Sequence, residues 1–365
     1  MTGGNPSYHC MERGIFSFMN TEYDKPFKTY DEMLSLMEKR NIIINDKEFA
    51  KNALSNLSYY SLINGYKNTF LQVKGTDDFI EGTKFEELYT INQLDVSLNN
   101  IIFKYILYLE RSLKSKVSYI VSQSFGVYTD KNDISCTDSN DYLYYKNYSS
   151  STGKRIDIVK KLKNCIIENH HNNIIEHYIN TKNHIPPWIL TYNIPFGLTI
   201  EWYSILKNAE KSYVCSAFIS SETLSMDERK EFLRQALLLA REYRNKIAHG
   251  NRTFNISGLP VLPKNQLLEL SHYAVSSEEY NNGLAQCDLL SILLLLVILL
   301  NDKYLCANLL SDLTSLFAPY EQHLFNNKNI YEIFNLPNDV LMRVKNLIDN
   351  IYNMPLEEAL SQSNT

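Results

Sequence analysis

Residues 85–123 read FEELYTINQLDVSLNNIIFKYILYLERSLKSKVSYIVSQ, and this stretch decides the fold class. Its apolar positions Leu88, Ile91, Leu94, Leu98, Ile102, Tyr105, Ile106, Leu109, Leu113 and Val117 recur mostly at steps of three or four. That is the spacing of one face of an α-helix, and no Pro or Gly interrupts it. Gly126 supplies the stop. A helix of roughly eleven turns needs partners along its whole apolar stripe. Working outward, residues 29–40 place Met33, Leu36 and Met37 at helical spacing, with Thr29 or Asp31 as the N-cap. Asp46 caps a second helix whose inner positions are Phe49, Ala53, Leu54 and Leu57. Gly65 then reads as a left-handed turn position. Residues 130–153 are polar and read as a loop or irregular insertion.

Downstream, residues 157–180 read as helix, and the chain breaks at Pro186-Pro187 and again at Pro195. Ser225 and Glu228 spell a capping box before a helix over 226–249. Its inner stripe is Phe232, Ala236, Leu239, Ala240, Tyr243 and Ile247, and Gly250 ends it. Residues 251–282 read as a long connection with room for a short hairpin. Helices over 284–306, 308–317 and 339–352 close the chain. The expected organisation is a loose lead-in (1–26), a small helical region (27–75), a main helical bundle with insertions (76–330) and a C-terminal helix and tail (331–365). The fold class is all-α.

Composition agrees. In 365 residues there are only 12 Gly and 10 Pro, too few for a turn-rich β fold, and 44% hydrophobic residues are enough for a sizeable core. The net charge of −5 argues against a generally basic nucleic-acid binder, though not against a local basic patch. The cysteines, at 10, 136, 165, 215, 287 and 306, form no CxxC or CxxH pair, so neither a zinc site nor a disulfide framework is expected. No metal or other cofactor is expected. His170, His171, His177 and His184 make only a loose cluster. The N-terminus lacks the apolar core of a signal peptide. The run LLSILLLLVILL, residues 289–300, is twelve residues long, and a bilayer needs about 20. It reads as a buried core helix, and the expected compartment is the reducing cytoplasm.

The stretch with chemistry is Arg241-Glu-Tyr-Arg244-Asn245-Lys-Ile-Ala-His249-Gly250. Arg241, Asn245 and His249 share one helix face at i, i+4 and i+8, with Arg244 beside them. An imidazole moves protons near neutral pH, and guanidinium holds phosphate in bidentate fashion. With the 2′-hydroxyl of RNA as nucleophile, those two groups suffice for transesterification without a metal. Three basic stretches can line an RNA groove: residues 229–252, 154–163 and 104–116. Tyr59, Tyr60 and Tyr66 either stack on bases or pack the N-terminal region onto the bundle.

The Arg244–His249 element resembles the R-x4-6-H signature of the HEPN superfamily of ribonucleases. Tyr59-Tyr60, Gly65-Tyr66, Glu110-Arg111, Pro186-Pro187-Trp188 and Phe196-Gly197, in that order, resemble Abi-family abortive-infection proteins of the AbiD/AbiF type. The resemblance covers roughly residues 27–255. It implies a helical bundle that dimerises, with one Arg and one His from each copy meeting in a shared cleft. It also implies metal-independent cleavage of RNA in defence against phage, with a protein or RNA antitoxin as a possible partner. Carried over, Arg244 holds the scissile phosphate, His249 transfers protons and Asn245 orients one or the other. Arg241, Lys246, Arg252, Glu110, Arg111 and Lys114 are the expected RNA-binding set. The alternative is a catalytically silent RNA-binding or scaffold protein of the same fold. No membrane partner is expected.

Overall fold

The computed structural model describes residues 25–352, except 74, 131–137, 169–172, 253 and 255–257. The elements are α1 (Tyr30–Lys39), α2 (Lys47–Leu57), a π-helical turn (Tyr60–Asn64), α3 (Lys67–Phe70), α4 (Phe85–Phe125), α5 (Arg155–Ile167), α6 (Asn173–Thr181), α7 (Pro187–Leu190), α8 (Phe196–Ile205), α9 (Asn208–Ser216), α10 (Met226–Ala248), α11 (Lys264–Leu270), α12 (Ser277–Asn281), α13 (Leu289–Leu300), α14 (Lys303–Phe317), α15 (Ile330–Ile333) and α16 (Val340–Tyr352). Short 3-10 turns lie at Tyr145–Asn147 and Ala318–Tyr320. Among the described residues there is no strand ladder, only isolated bridges such as Ile43 to Lys84. The fold is all-α.

The axis is α4. Every apolar position in its predicted stripe is buried, and Gly126 ends the helix at φ 82°. Helices α7, α8 and α9 pack on it from one part of the chain, α13 and α14 from another, and α10 lies along it as well. The Leu-rich run forms α13, and all twelve of its side chains are buried. Fully burying one such side chain contributes roughly 1.5–3 kcal/mol, so a helix apolar on every face holds its position only inside a core. No described helix is long and apolar enough to cross a membrane.

Local chemistry sets the helix starts. Thr29 caps α1 through a reciprocal box with Glu32, Asp46 caps α2, and Ser225 with Glu228 caps α10.

Several expectations are corrected. Gly65 is not left-handed: its φ and ψ are −54° and −48°. Glycine is required there for space, because a Cβ would overlap the Ser61 carbonyl oxygen and stand 3.0 Å from Arg252 Nε. The expected helix over 284–306 breaks at Asn301, which is left-handed at φ 51°. Asp302 then caps α14 by accepting from the Tyr304 and Leu305 amides. The helix expected over 157–180 is instead α5 and α6. Residues 208–216, which received no assignment, form α9. The 251–282 connection contains α11 and α12, with no hairpin among its described residues.

The segment over 130–153 also departs from a plain polar loop. Tyr142, Leu143 and Tyr148 are fully buried, and Asp141 pairs with Lys163 at 2.7 Å in a site where both are almost completely enclosed. Lys163 is therefore a structural cation and drops out of the expected RNA groove.

Candidate functional site

Helix α10 owes its orientation to its inner stripe. Phe232, Leu233, Ala236, Leu237, Leu239, Ala240 and Tyr243 are buried against neighbouring helices. It runs antiparallel to α4. At one end Asn99 Nδ2 donates to Asn251 O at 3.1 Å. At the other, Lys116 of α4 sits 4.5 Å over the Phe218 ring, and Arg229 of α10 donates to Ile219 O at 3.3 Å.

The end of the helix places His249. Its backbone N–H donates to Asn245 O at 3.1 Å, making it the C-cap, and Gly250 follows at φ 72°. His249 is exposed, and Arg241, Arg244 and Asn245 are half-buried. Arg244 donates to the Asn245 side-chain oxygen at 3.3 Å, and its Nε is shielded from solvent without a partner. Arg241 instead grips Glu242 at 2.8 and 3.1 Å. Its stem passes Gly197, where a Cβ would stand 3.4 Å from Arg241 Cδ. Among the described residues no acidic group pairs with Arg244 or His249. A guanidinium and an imidazole thus stand near one helix end with no carboxylate partner among the described residues.

The other expected site residues lie elsewhere. Glu110 is buried and accepts from Lys114 at 2.8 Å, leaving its second oxygen buried without a partner. Arg111 rests 5.9 Å from the Tyr108 ring centroid, in an open depression shared with Lys104 and Phe103. No described contact links Glu110, Arg111 or Lys114 to Arg244 or His249. The three basic stretches do not form one free groove, because several cations are matched by acids: Lys104 with Asp312, Lys161 with Glu201, and Arg234 with Glu231. His177 is exposed, while His170 and His171 lie outside the described residues, as do Cys10 and Cys136. No group of three or more described His, Cys, Asp or Glu side chains is placed to hold a metal ion.

Lys246, near the end of α10, and Arg252, just beyond it, line a cavity whose wall does not include Arg241, Arg244, Asn245 or His249. Its volume is about 420 Å³, and Tyr60, Tyr66, Asn92, Asp95 and Asn99 also line it. Tyr66 is buried, and its hydroxyl donates to Asp95 at 3.0 Å and accepts from Asn92 at 3.1 Å. Burial, then the Asp95 charge, pushes the Tyr66 phenol far above its usual pKa, so it keeps its proton. The Arg252 guanidinium lies 5.5 Å from the Tyr66 ring centroid. The two readings of the tyrosines therefore divide: Tyr66 packs, while Tyr60 stands 71% exposed at the cavity rim. The carboxylate and amides of this cavity were not singled out from the sequence. Their signal is there, since Asn92, Asp95 and Asn99 interrupt the apolar pattern of α4 at steps of three and four.

The sequence pattern of the Abi-like protein family matches residues 52–255. Comparison with curated proteins and with solved structures finds no match. The family match runs from α2 through α10, and so takes in Arg244, His249 and the cavity at the α10 terminus. It spans more than half of the sequence, and on that basis the chain belongs to the Abi-like protein family.

Proposed function

We propose that this protein is a metal-independent endoribonuclease of the HEPN type that acts in abortive infection, halting phage growth by cutting RNA. The observation that supports the reading is the presence of Arg244 and His249 at the C-terminal end of α10, with no acidic partner on either among the described residues. In the reaction, Arg244 holds the scissile phosphate and offsets the charge that builds on it. His249 takes the proton of the 2′-hydroxyl as that oxygen attacks phosphorus, or delivers a proton to the departing 5′-oxygen. Asn245 orients the guanidinium that it already contacts. The products are a 2′,3′-cyclic phosphate and a 5′-hydroxyl. One chain supplies one imidazole, and the mechanism uses two proton-transfer groups. A two-fold dimer that faces two α10 ends supplies the second. Membership of the Abi-like family supports the phage-defence role. An RNA or protein antitoxin covering this exposed face would hold the enzyme silent in uninfected cells.

The test is cleavage of total bacterial RNA in EDTA by wild type and by His249→Ala, with analysis of product ends. The wild type leaves cyclic-phosphate ends. The variant loses about 10²–10⁴-fold in rate, as expected for removal of a general acid or base. His249 is exposed, so the variant melts as wild type does. Equal cleavage by the two proteins overturns the catalytic assignment.

A further inference from the structure

The cavity at the α10 terminus is lined by neither Arg244 nor His249. On its wall Lys246 and Arg252 offer two cations, and no described acid pairs with either as a salt bridge. Asp95, 2% exposed, supplies a carboxylate, and the oxygen of the nine-tenths-buried Asn99 amide has no hydrogen-bond partner. Tyr60 presents an exposed ring at the rim, carried on the π-helical turn over Tyr60–Asn64. Such turns recur at functional sites. Tyr66, Asn92 and Asp95 are locked together by hydrogen bonds, and Phe254 lies 5.9 Å from Tyr66. The wall is therefore preformed.

Those groups define their ligand. Two cations call for an anion such as a phosphate. A bare phosphate is a poor fit, because the carboxylate and the amide oxygen repel it. The unpartnered Asn99 oxygen calls for a hydrogen-bond donor on the same ligand. The rim ring calls for a flat π-face. The volume of about 420 Å³ lies in the range of small-ligand pockets, roughly 300–1,000 Å³. The geometry points to a nucleoside monophosphate unit: phosphate on Lys246 and Arg252, base stacked on Tyr60, and an amino or hydroxyl donor toward Asn99. The unit is either a free nucleotide or one residue of a nucleic-acid strand. The inference does not depend on Arg244 and His249 cleaving RNA.

Isothermal titration of the full chain tests it, with AMP, adenosine, inorganic phosphate and an uncleavable 2′-O-methyl tetranucleotide as probes. AMP binds more tightly than adenosine or phosphate. Lys246→Gln weakens AMP about tenfold or more, by loss of a charge-assisted hydrogen bond. Tyr60→Ala weakens AMP by a similar factor and leaves phosphate binding unchanged. Both side chains reach the surface, so neither variant threatens the fold. A tetranucleotide that binds more than tenfold better than AMP, and is weakened by both variants, makes a strand the source. Equal binding makes it a free nucleotide. The inference is overturned if neither AMP nor the tetranucleotide binds, or if both variants bind as wild type does.

Discussion

Lys163→Met tests the buried ion pair that fastens the 128–148 segment to α5. The Lys163 and Asp141 side chains are 1% and 2% exposed and meet at 2.7 Å. Lys163 also donates to Asp130 O at 2.9 Å, and Asp141 accepts from the Asp130 and Leu143 amides at 3.0 and 2.7 Å. Methionine keeps most of the lysine stem and removes the charge. Asp141 is then left as an enclosed carboxylate with amide donors but no cation. Breaking one side of such a pair costs about 3–5 kcal/mol, a large share of a net stability of roughly 5–15 kcal/mol. At roughly 2–4 °C per kcal/mol for a chain of this size, the melting temperature falls by roughly 6–20 °C. The assay is thermal and urea unfolding followed by tryptophan fluorescence. Trp202 reports on this region directly, since its Nε1 donates to the Tyr148 hydroxyl at 2.9 Å, and that hydroxyl donates to Tyr142 O at 2.9 Å. The double variant Lys163→Met/Asp141→Asn recovers at least half of the loss, because a buried amide costs less than a buried unpaired charge. A loss under about 1 kcal/mol in the single variant, the size of an exposed pair, refutes the reasoning. So does a double variant no better than the single.

Gly65→Ala adds a Cβ that overlaps the Ser61 carbonyl oxygen and presses on Arg252. The expected cost is about 1–3 kcal/mol, as for overpacking, with Arg252 displaced from the Tyr66 ring; a melting temperature within 1 °C of wild type shows that the turn has room after all. The Arg343 guanidinium, with help from the Ser276 amide and hydroxyl, lowers the Glu279 carboxyl from 4.5 to about 2. A carboxyl lowered on folding stabilises above its unfolded pKa, and that contribution disappears as pH falls through the folded value. The stability gap between wild type and Glu279→Gln is therefore constant above about pH 5 and closes between roughly pH 4.5 and 2. A gap that does not change with pH over that window removes Glu279 from the account.

What was legible in the sequence was whatever one element decides for itself. The stripe of α4, the caps at Thr29, Asp46 and Ser225, and the stops at Gly126 and Gly250 are local, and each stands where periodicity and capping chemistry put it. The helix that carries Arg241, Arg244 and Asn245, with His249 as its C-cap, was legible for the same reason. Partners distant in sequence were not. Nothing near Lys163 announces Asp141, 22 positions earlier, so a buried cation reads as one more basic residue in a run. Gly65 was read as a conformational glycine when it is a steric one, because the atom that forbids a side chain follows from the unusual π turn. Lys246 and Arg252 were read with Arg241 as one RNA-binding set. That they line a cavity depended on Tyr60, Asn92, Asp95 and Asn99 arriving from two other segments.

The family match ends at residue 255, yet the structure that holds Arg244 and His249 in place does not. The position of His249 is set by the axis of α10, and α10 packs on α8, α9 and α4 within the matched span and on α11 and α13 beyond it. Helix α13 in turn lies on α4 and on α16, and α14 covers another part of α4. Without residues 256–365, Tyr105 would lose its bond to Asp312, and α4 would lose the apolar cover that α13 and α14 give it. At about 25 cal/mol per Å² of apolar surface, exposing one side of a helix as long as α4 would consume most of the stability of an ordinary domain. The C-terminal helices therefore bear on the proposed chemistry indirectly, by fixing the long helix against which α10, and with it Arg244 and His249, is aligned.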